Sequence, residues 1–88
     1  MIYQTTSMGE ADLCAALVER GRAQLLVHRV SSRGMAMHAA KWYLTRKRQD
    51  ADLLVCFTSE GMAQLTVCFV DSYGESGWQR PKPRGVRL

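Results

Sequence analysis

Apolar residues fall in short blocks separated by polar stretches, and the blocks predict the elements. Residues 2–5 make a brief β-prone run that reads as a first strand. Ser7-Met8-Gly9-Glu10 has the form of a capping box, in which serine and glutamate each satisfy an amide at a helix start. Leu13, Ala16 and Leu17 then share one helical face, and Gly21 is suited to a left-handed C-terminal cap. A helix over residues 8–20 is expected. Residues 24–30 are rich in Leu and Val, too short for a helix before the Ser31-Ser32-Arg33-Gly34 break, and read as a strand.

From residue 35 to residue 48, Met35, Ala36, Ala39, Ala40, Tyr43 and Leu44 form a second helical stripe, closed by Arg46, Lys47 and Arg48 where a helix dipole favours cations. Residues 52–58 and 64–71 are strand-like, and the short Ser59-Glu60-Gly61-Met62 link predicts an antiparallel hairpin. No internal repeat is expected among these segments. The order β-α-β-α-β-β predicts an α+β fold: a two-layer sandwich, a four-stranded mixed sheet with two helices on one face. Residues 1–72 form the body and residues 73–88 a basic C-terminal tail. Leu25-Leu26-Val27 and residues 53–57 are apolar at every position, which suits strands covered on both sides. With only two helices to hand, the second face is expected to be covered by another copy of the chain.

Composition refines this picture. The chain has 88 residues, 47% of them hydrophobic, enough for one small domain. No apolar run spans a bilayer and no secretory signal is visible, so a cytoplasmic protein is expected, with no membrane association. The three cysteines, Cys14, Cys56 and Cys68, lie inside apolar stretches and read as buried free thiols. The alternatives are a redox switch or a zinc site drawing on His28 and His38, but the spacing matches no metal motif. Four of the 12 basic residues, Arg80, Lys82, Arg84 and Arg87, fall in the last ten positions, so the rest of the chain is formally neutral and the net +4 belongs to its end. Such an end attracts polyanions or simply solubilises.

The segment ALVERGRAQLLVHRVSSRGMAMHAAKWYL, followed by ADLLVCF and LTVCFV, resembles the stage V sporulation protein S family, which is related to the Alba chromatin proteins. That resemblance implies an Alba-like, dimeric or higher assembly that binds DNA or RNA without catalysis. It places the contacts in loops at residues 5–9, 29–34 and 59–62. The first carries no lysine and the last holds Glu60, so the pattern is kept best by Arg29, Ser31, Ser32, Arg33 and Gly34.

Arg29 and Arg33 flank two hydroxyls ahead of the expected second helix, where free amides and the dipole suit a phosphate. The bland alternative is a serine cap beside two solvated arginines. Arg46, Lys47 and Arg48 extend the anionic footprint or only stabilise a helix end. Trp42 and Tyr43 read as core or interface, and Trp78, beside the basic end, as a candidate for base stacking. No nucleophile elbow, phosphate loop, metal motif or cofactor motif is present, and no enzyme activity is expected. The expected function is a small nucleic-acid-binding protein of regulatory or chromatin-like type that reads backbone shape and charge. The rival is a protein-interaction module or small regulatory inhibitor working through an apolar sheet face.

Overall fold

A computed structural model describes residues 1–32, 34, 39–86 and 88. It contains seven strands: β1 (Ile2–Gln4), β2 (Leu13–Leu17), β3 (Leu25–Arg29), β4 (Lys41–Trp42), β5 (Leu53–Phe57), β6 (Leu65–Phe69) and β7 (Gly77–Trp78). Among the described residues the only helical elements are single 3-10 turns. The strands make one strongly curled mixed sheet, a half-barrel in the order β1-β5-β2-β6-β3-β4, with β7 antiparallel to the start of β3 and every other pairing parallel. The outer strands touch at one parallel bridge, Ile2 to Leu44, held by Ile2 N–H to the Tyr43 carbonyl at 2.9 Å and Thr45 N–H to the Ile2 carbonyl at 2.8 Å.

The expected α+β sandwich is therefore corrected to an all-β fold. Residues 8–10 form a turn and residues 13–17 a strand, because Leu13-Cys14-Ala15-Ala16-Leu17 is apolar at positions that serve either period. Gly21, expected as a helix cap, sits inside the 3-10 turn Arg20–Arg22. In the second expected helix, Lys41–Trp42 is a strand and Arg48–Asp50 a 3-10 turn, while residues 35–38 lie outside the described residues. The antiparallel hairpin is also corrected, since β5 and β6 run parallel with β2 between them. The strands expected near residues 2–5, 24–30, 52–58 and 64–71 do form.

The interleaving has a sequence cause, a repeat. Ala-Asp/Gln-Leu opens four strands, at Ala11-Asp12-Leu13, Ala23-Gln24-Leu25, Ala51-Asp52-Leu53 and Ala63-Gln64-Leu65. Leu13 and Leu25, and again Leu53 and Leu65, stand twelve residues apart. Each unit begins with a tight turn in which successive amides donate three residues back, as in Arg22 to Glu19 and Ala23 to Arg20, or Met62 to Ser59 and Ala63 to Glu60. A parallel connection ordinarily takes a dozen or more residues and a helix. Here the turn alone makes the crossing, and it passes over the strand that the other lap of the chain has placed in between. The Arg20–Arg22 turn lies against β6, Glu60–Met62 against β2, and Tyr73–Glu75 against β3.

The polar residue of each repeat then clamps the strand beneath. Asp12 N–H donates to the Leu54 carbonyl at 2.8 Å, and Leu54 N–H donates back to Asp12 Oδ2 at 2.9 Å. Gln24 does the same with Thr66, at 3.0 and 2.9 Å, and Gln64 with Cys14, at 2.8 and 2.9 Å. Asp52 holds Met1 in the same way. A side-chain oxygen thus stands in for the backbone acceptor that the ladder lacks at a strand start.

Alternate residues of each strand fill the interior: Ile2, Leu13, Ala15, Leu25, Val27, Leu53, Val55, Leu65 and Val67 with Ala40, Trp42 and Val86. The other face is covered in part, with Ala16, Leu26 and Cys56 at 2, 4 and 4% exposure. The crossings lie over this face, and Cys14, Leu54 and Cys68 on it are only partly buried. Val86 in the core and β7 on β3 anchor the C-terminal stretch. At Gly77 the chain turns antiparallel with φ at 146°, which L side chains rarely adopt.

The clamps differ in burial, and this gives a test. Gln24→Ala strands a part-buried Thr66 amide, with an expected loss of about 1–2 kcal/mol in urea denaturation. Gln64→Ala frees an amide that water reaches, and its loss should be smaller.

Candidate polyanion interface

Six lysines and arginines among the described residues are committed to partners within the chain. Arg20 pairs with Glu75 at 3.3 Å, Arg48 with Glu10 at 3.1 Å, and Arg22 with Glu60. Each pair is about half exposed, so each contributes little to stability. They do remove three guanidinium charges from the set available to a ligand.

The basic C-terminal residues are largely internal ties. Arg80 donates to the Ala23 carbonyl at 2.8 Å and the Gly21 carbonyl at 3.1 Å, lashing the end of the chain to the turn before β3. Gln79 reinforces it, donating to the carbonyls of Arg20 and Ala23 at 2.7 and 2.8 Å. Lys82 donates to the Leu88 carbonyl at 2.9 Å. Arg84 is exposed, and Arg87 lies outside the described residues. Trp78, the stacking candidate, pairs in register with Leu25 and packs against the core.

Arg29, Arg46, Lys47 and Arg84 remain, with no carboxylate partner among the described residues. Arg29 is the last residue of β3, in register with Trp42 of β4. The chain runs on from β4 through Tyr43, Leu44 and Thr45 into Arg46 and Lys47, which follow the register partner of Arg29 in sequence. The guanidinium of Arg29 lies 5.0 Å from the centroid of Phe69, within cation–π range. Ser31, Ser32 and Gly34 follow it, all exposed, and Arg33 lies outside the described residues. The start of the helix expected after Ser32 falls on residues 35–38, outside the described residues, and the next described strand is β4.

Arg46 and Lys47 line an open cleft of about 340 Å³ with Met1, Tyr43, Leu44, Thr45 and Asp50. Thr45 Oγ1 accepts the Lys47 amide at 3.1 Å and fixes the bend that presents the two cations. The carboxylate of Asp50 restricts how an anion enters. Arg46, Lys47 and Arg48, expected at a helix end, lie instead on an extended segment and the start of a 3-10 turn.

A second cluster went unseen in the sequence. Lys41 is 9% exposed; its ammonium sits 4.2 Å from the Tyr73 ring centroid and donates to Ser76 Oγ, which itself donates to the Tyr73 carbonyl at 2.8 Å. Ring and hydroxyl both serve an ammonium, so this serine–lysine contact ties the Tyr73–Glu75 turn to β4. His28 completes it, with Nδ1 3.1 Å from the Val70 carbonyl and its ring edge-on to Tyr73. Among the described residues no three His, Cys, Asp or Glu side chains converge as a metal site. Cys14 and Cys56 are register partners across β2 and β5, both as free thiols.

A helix-free sheet in which the second lap of the chain lies strand by strand between the strands of the first defines an entwined all-β domain. The family model of the 7(1) septoil knot domain matches residues 1–79, and the chain belongs to that family. No curated protein and no solved structure gave a match. The resemblance to the stage V sporulation protein S and Alba families is thereby overturned, and the sporulation and Alba-like labels go with it. Its signature segment, residues 16–44, holds the end of β2, the Arg20–Arg22 turn, β3 and β4, where the resemblance implied helix, strand, loop and helix.

Arg80 offers a clean test of structural against functional cations. Arg80→Ala should lower stability by about 1 kcal/mol in thermal or urea unfolding, while leaving the Arg29, Arg46 and Lys47 surface unchanged.

Proposed function

We propose that this domain is a small non-enzymatic binder of nucleic acid that acts through its Arg29, Arg46 and Lys47 end. The observation that carries the reading is the sorting of charge. Three arginines are neutralised by glutamates and Arg80 is spent on carbonyls, while Arg29 at the end of β3 and Arg46 and Lys47 on the segment after the adjacent β4 have no acid partner among the described residues. Cations without acid partners favour a polyanion, and phosphate contacts of this kind carry affinity rather than sequence preference. The hydroxyls of Ser31 and Ser32 beside Arg29 add neutral donors for phosphate oxygens. No helix among the described residues is long and apolar enough to cross a membrane. Three cysteines without a disulfide suit the cytoplasm, where nucleic acid is at hand.

The protein-interaction alternative keeps part of its first argument, since Cys14, Leu54 and Cys68 of the outer face are only partly buried. It also has Met8, Leu17, Met62 and Tyr73, exposed by 40, 56, 60 and 50%, with the Met62 turn lying against the strand that carries Leu17.

Fluorescence anisotropy with labelled oligonucleotides across a salt series tests the proposal. Binding should weaken steeply with salt, and the triple variant R29A/R46A/K47A should flatten the log–log slope by roughly two units. Absence of binding to DNA and RNA at low salt would remove the proposal, and a protein partner retained through nuclease and high salt would favour the alternative.

A further inference from the structure

The repeat places one more set of side chains at this same end. The fifth residue of each repeat strand is Leu17 in β2, Arg29 in β3, Phe57 in β5 and Phe69 in β6. All four share the parity of the interior residues, so they continue the core face to the end of the sheet, where its walls stop. Among the described residues the core does not finish burying them. Phe57 and Phe69 are only partly buried, while Leu17 and Arg29 are exposed.

The rings form a connected surface. Phe57 and Phe69 have centroids 6.2 Å apart at 59°, and buried Trp42 braces Phe69 edge-on at 6.2 Å and 82°. The Arg29 guanidinium, 5.0 Å from the Phe69 centroid, supplies positive charge at the ring itself. A protein that needed only to close its core would place aliphatic residues here and an acid beside the arginine. This end instead presents half-open aromatic faces, a planar cation and, next along β4, the free charges of Arg46 and Lys47.

Building on the reading of a nucleic-acid binder, we propose that this end takes an unpaired base of a single strand. The base lies against Phe57 and Phe69, its own phosphate meets Arg29, and the neighbouring phosphates meet Arg46 and Lys47. Flat apolar faces beside a cation match a base with its phosphate, whereas a duplex keeps its base faces stacked inside and offers only its backbone. Stacking is tolerant of base identity, so sequence preference is slight. Single-stranded nucleic acid is the substrate class, and DNA and RNA strands share the chemistry.

The test measures anisotropy of the full chain with labelled oligothymidylate, oligouridylate, a duplex of equal length and an abasic strand of equal charge. The thymidylate and uridylate strands should bind about tenfold more tightly than the duplex and the abasic strand. Phe57→Leu and, separately, Phe69→Leu should erase most of that preference while leaving the duplex affinity unchanged, with a thermal melt confirming that each variant is folded. Arg29→Lys, which keeps the charge and loses the plane, should weaken the single strand more than the duplex. Equal affinity for all four probes overturns base docking while the polyanion proposal stands. Failure of every probe at low salt removes both. The wild-type comparison alone decides the matter if either phenylalanine variant does not fold.

Discussion

Every strand of the first lap depends on a strand of the second for its hydrogen bonds. β1 and β2 do not pair, nor do β2 and β3; β5 and β6 fill the gaps between them. An unpaired buried backbone group costs about as much as the net gain of a good hydrogen bond or more, so the first lap is not a stable sheet by itself. This one constraint explains why the connections are so short, why polar Asp and Gln stand at strand starts, and why crossings lie over the outer face of the sheet. The crossings are lids over the other lap, and the strand-start clamps fasten them.

The same arrangement accounts for what was legible in the sequence. The β-prone runs at residues 2–5, 24–30, 52–58 and 64–71 carried enough aliphatic, β-branched and aromatic residues to be read as strands. The run at residues 13–17 was not, because Ser7 and Glu10 imitate a helix start and Leu13, Ala16 and Leu17 imitate a helical face. What is buried on both faces of a five-residue strand and what lines one face of a helix look alike over so short a span. The repeat of Ala-Asp/Gln-Leu was visible and would have decided the matter, for it assigns Leu13 the role of Leu25, Leu53 and Leu65. Topology was less accessible. True knots are so rare that ordinary reasoning on connections excludes them, and a short Gly-containing link such as Ser59-Glu60-Gly61-Met62 ordinarily means a hairpin.

For the site, charge was legible and commitment was not. Arg29, Arg46 and Lys47 stand out in the sequence, but so do Arg48 and Arg80, and only the fold shows that Glu10 and two carbonyls claim them. Phe57 and Phe69 look like core residues one at a time. Their position at the fifth place of the repeat, shared with Arg29, puts them at the open end of the sheet. A rigid, twice-wound scaffold thus displays planar and cationic groups on strand ends rather than on long loops, which keeps their spacing fixed.

Native-state hydrogen exchange read by NMR tests the interdependence of the two laps most directly. The account predicts that the amides of buried Ala16 and Val67, one in each lap, exchange only through global unfolding and report the same free energy. Protection of β2 and β3 that persists after β5 and β6 have exchanged would contradict it, since the first lap would then stand alone.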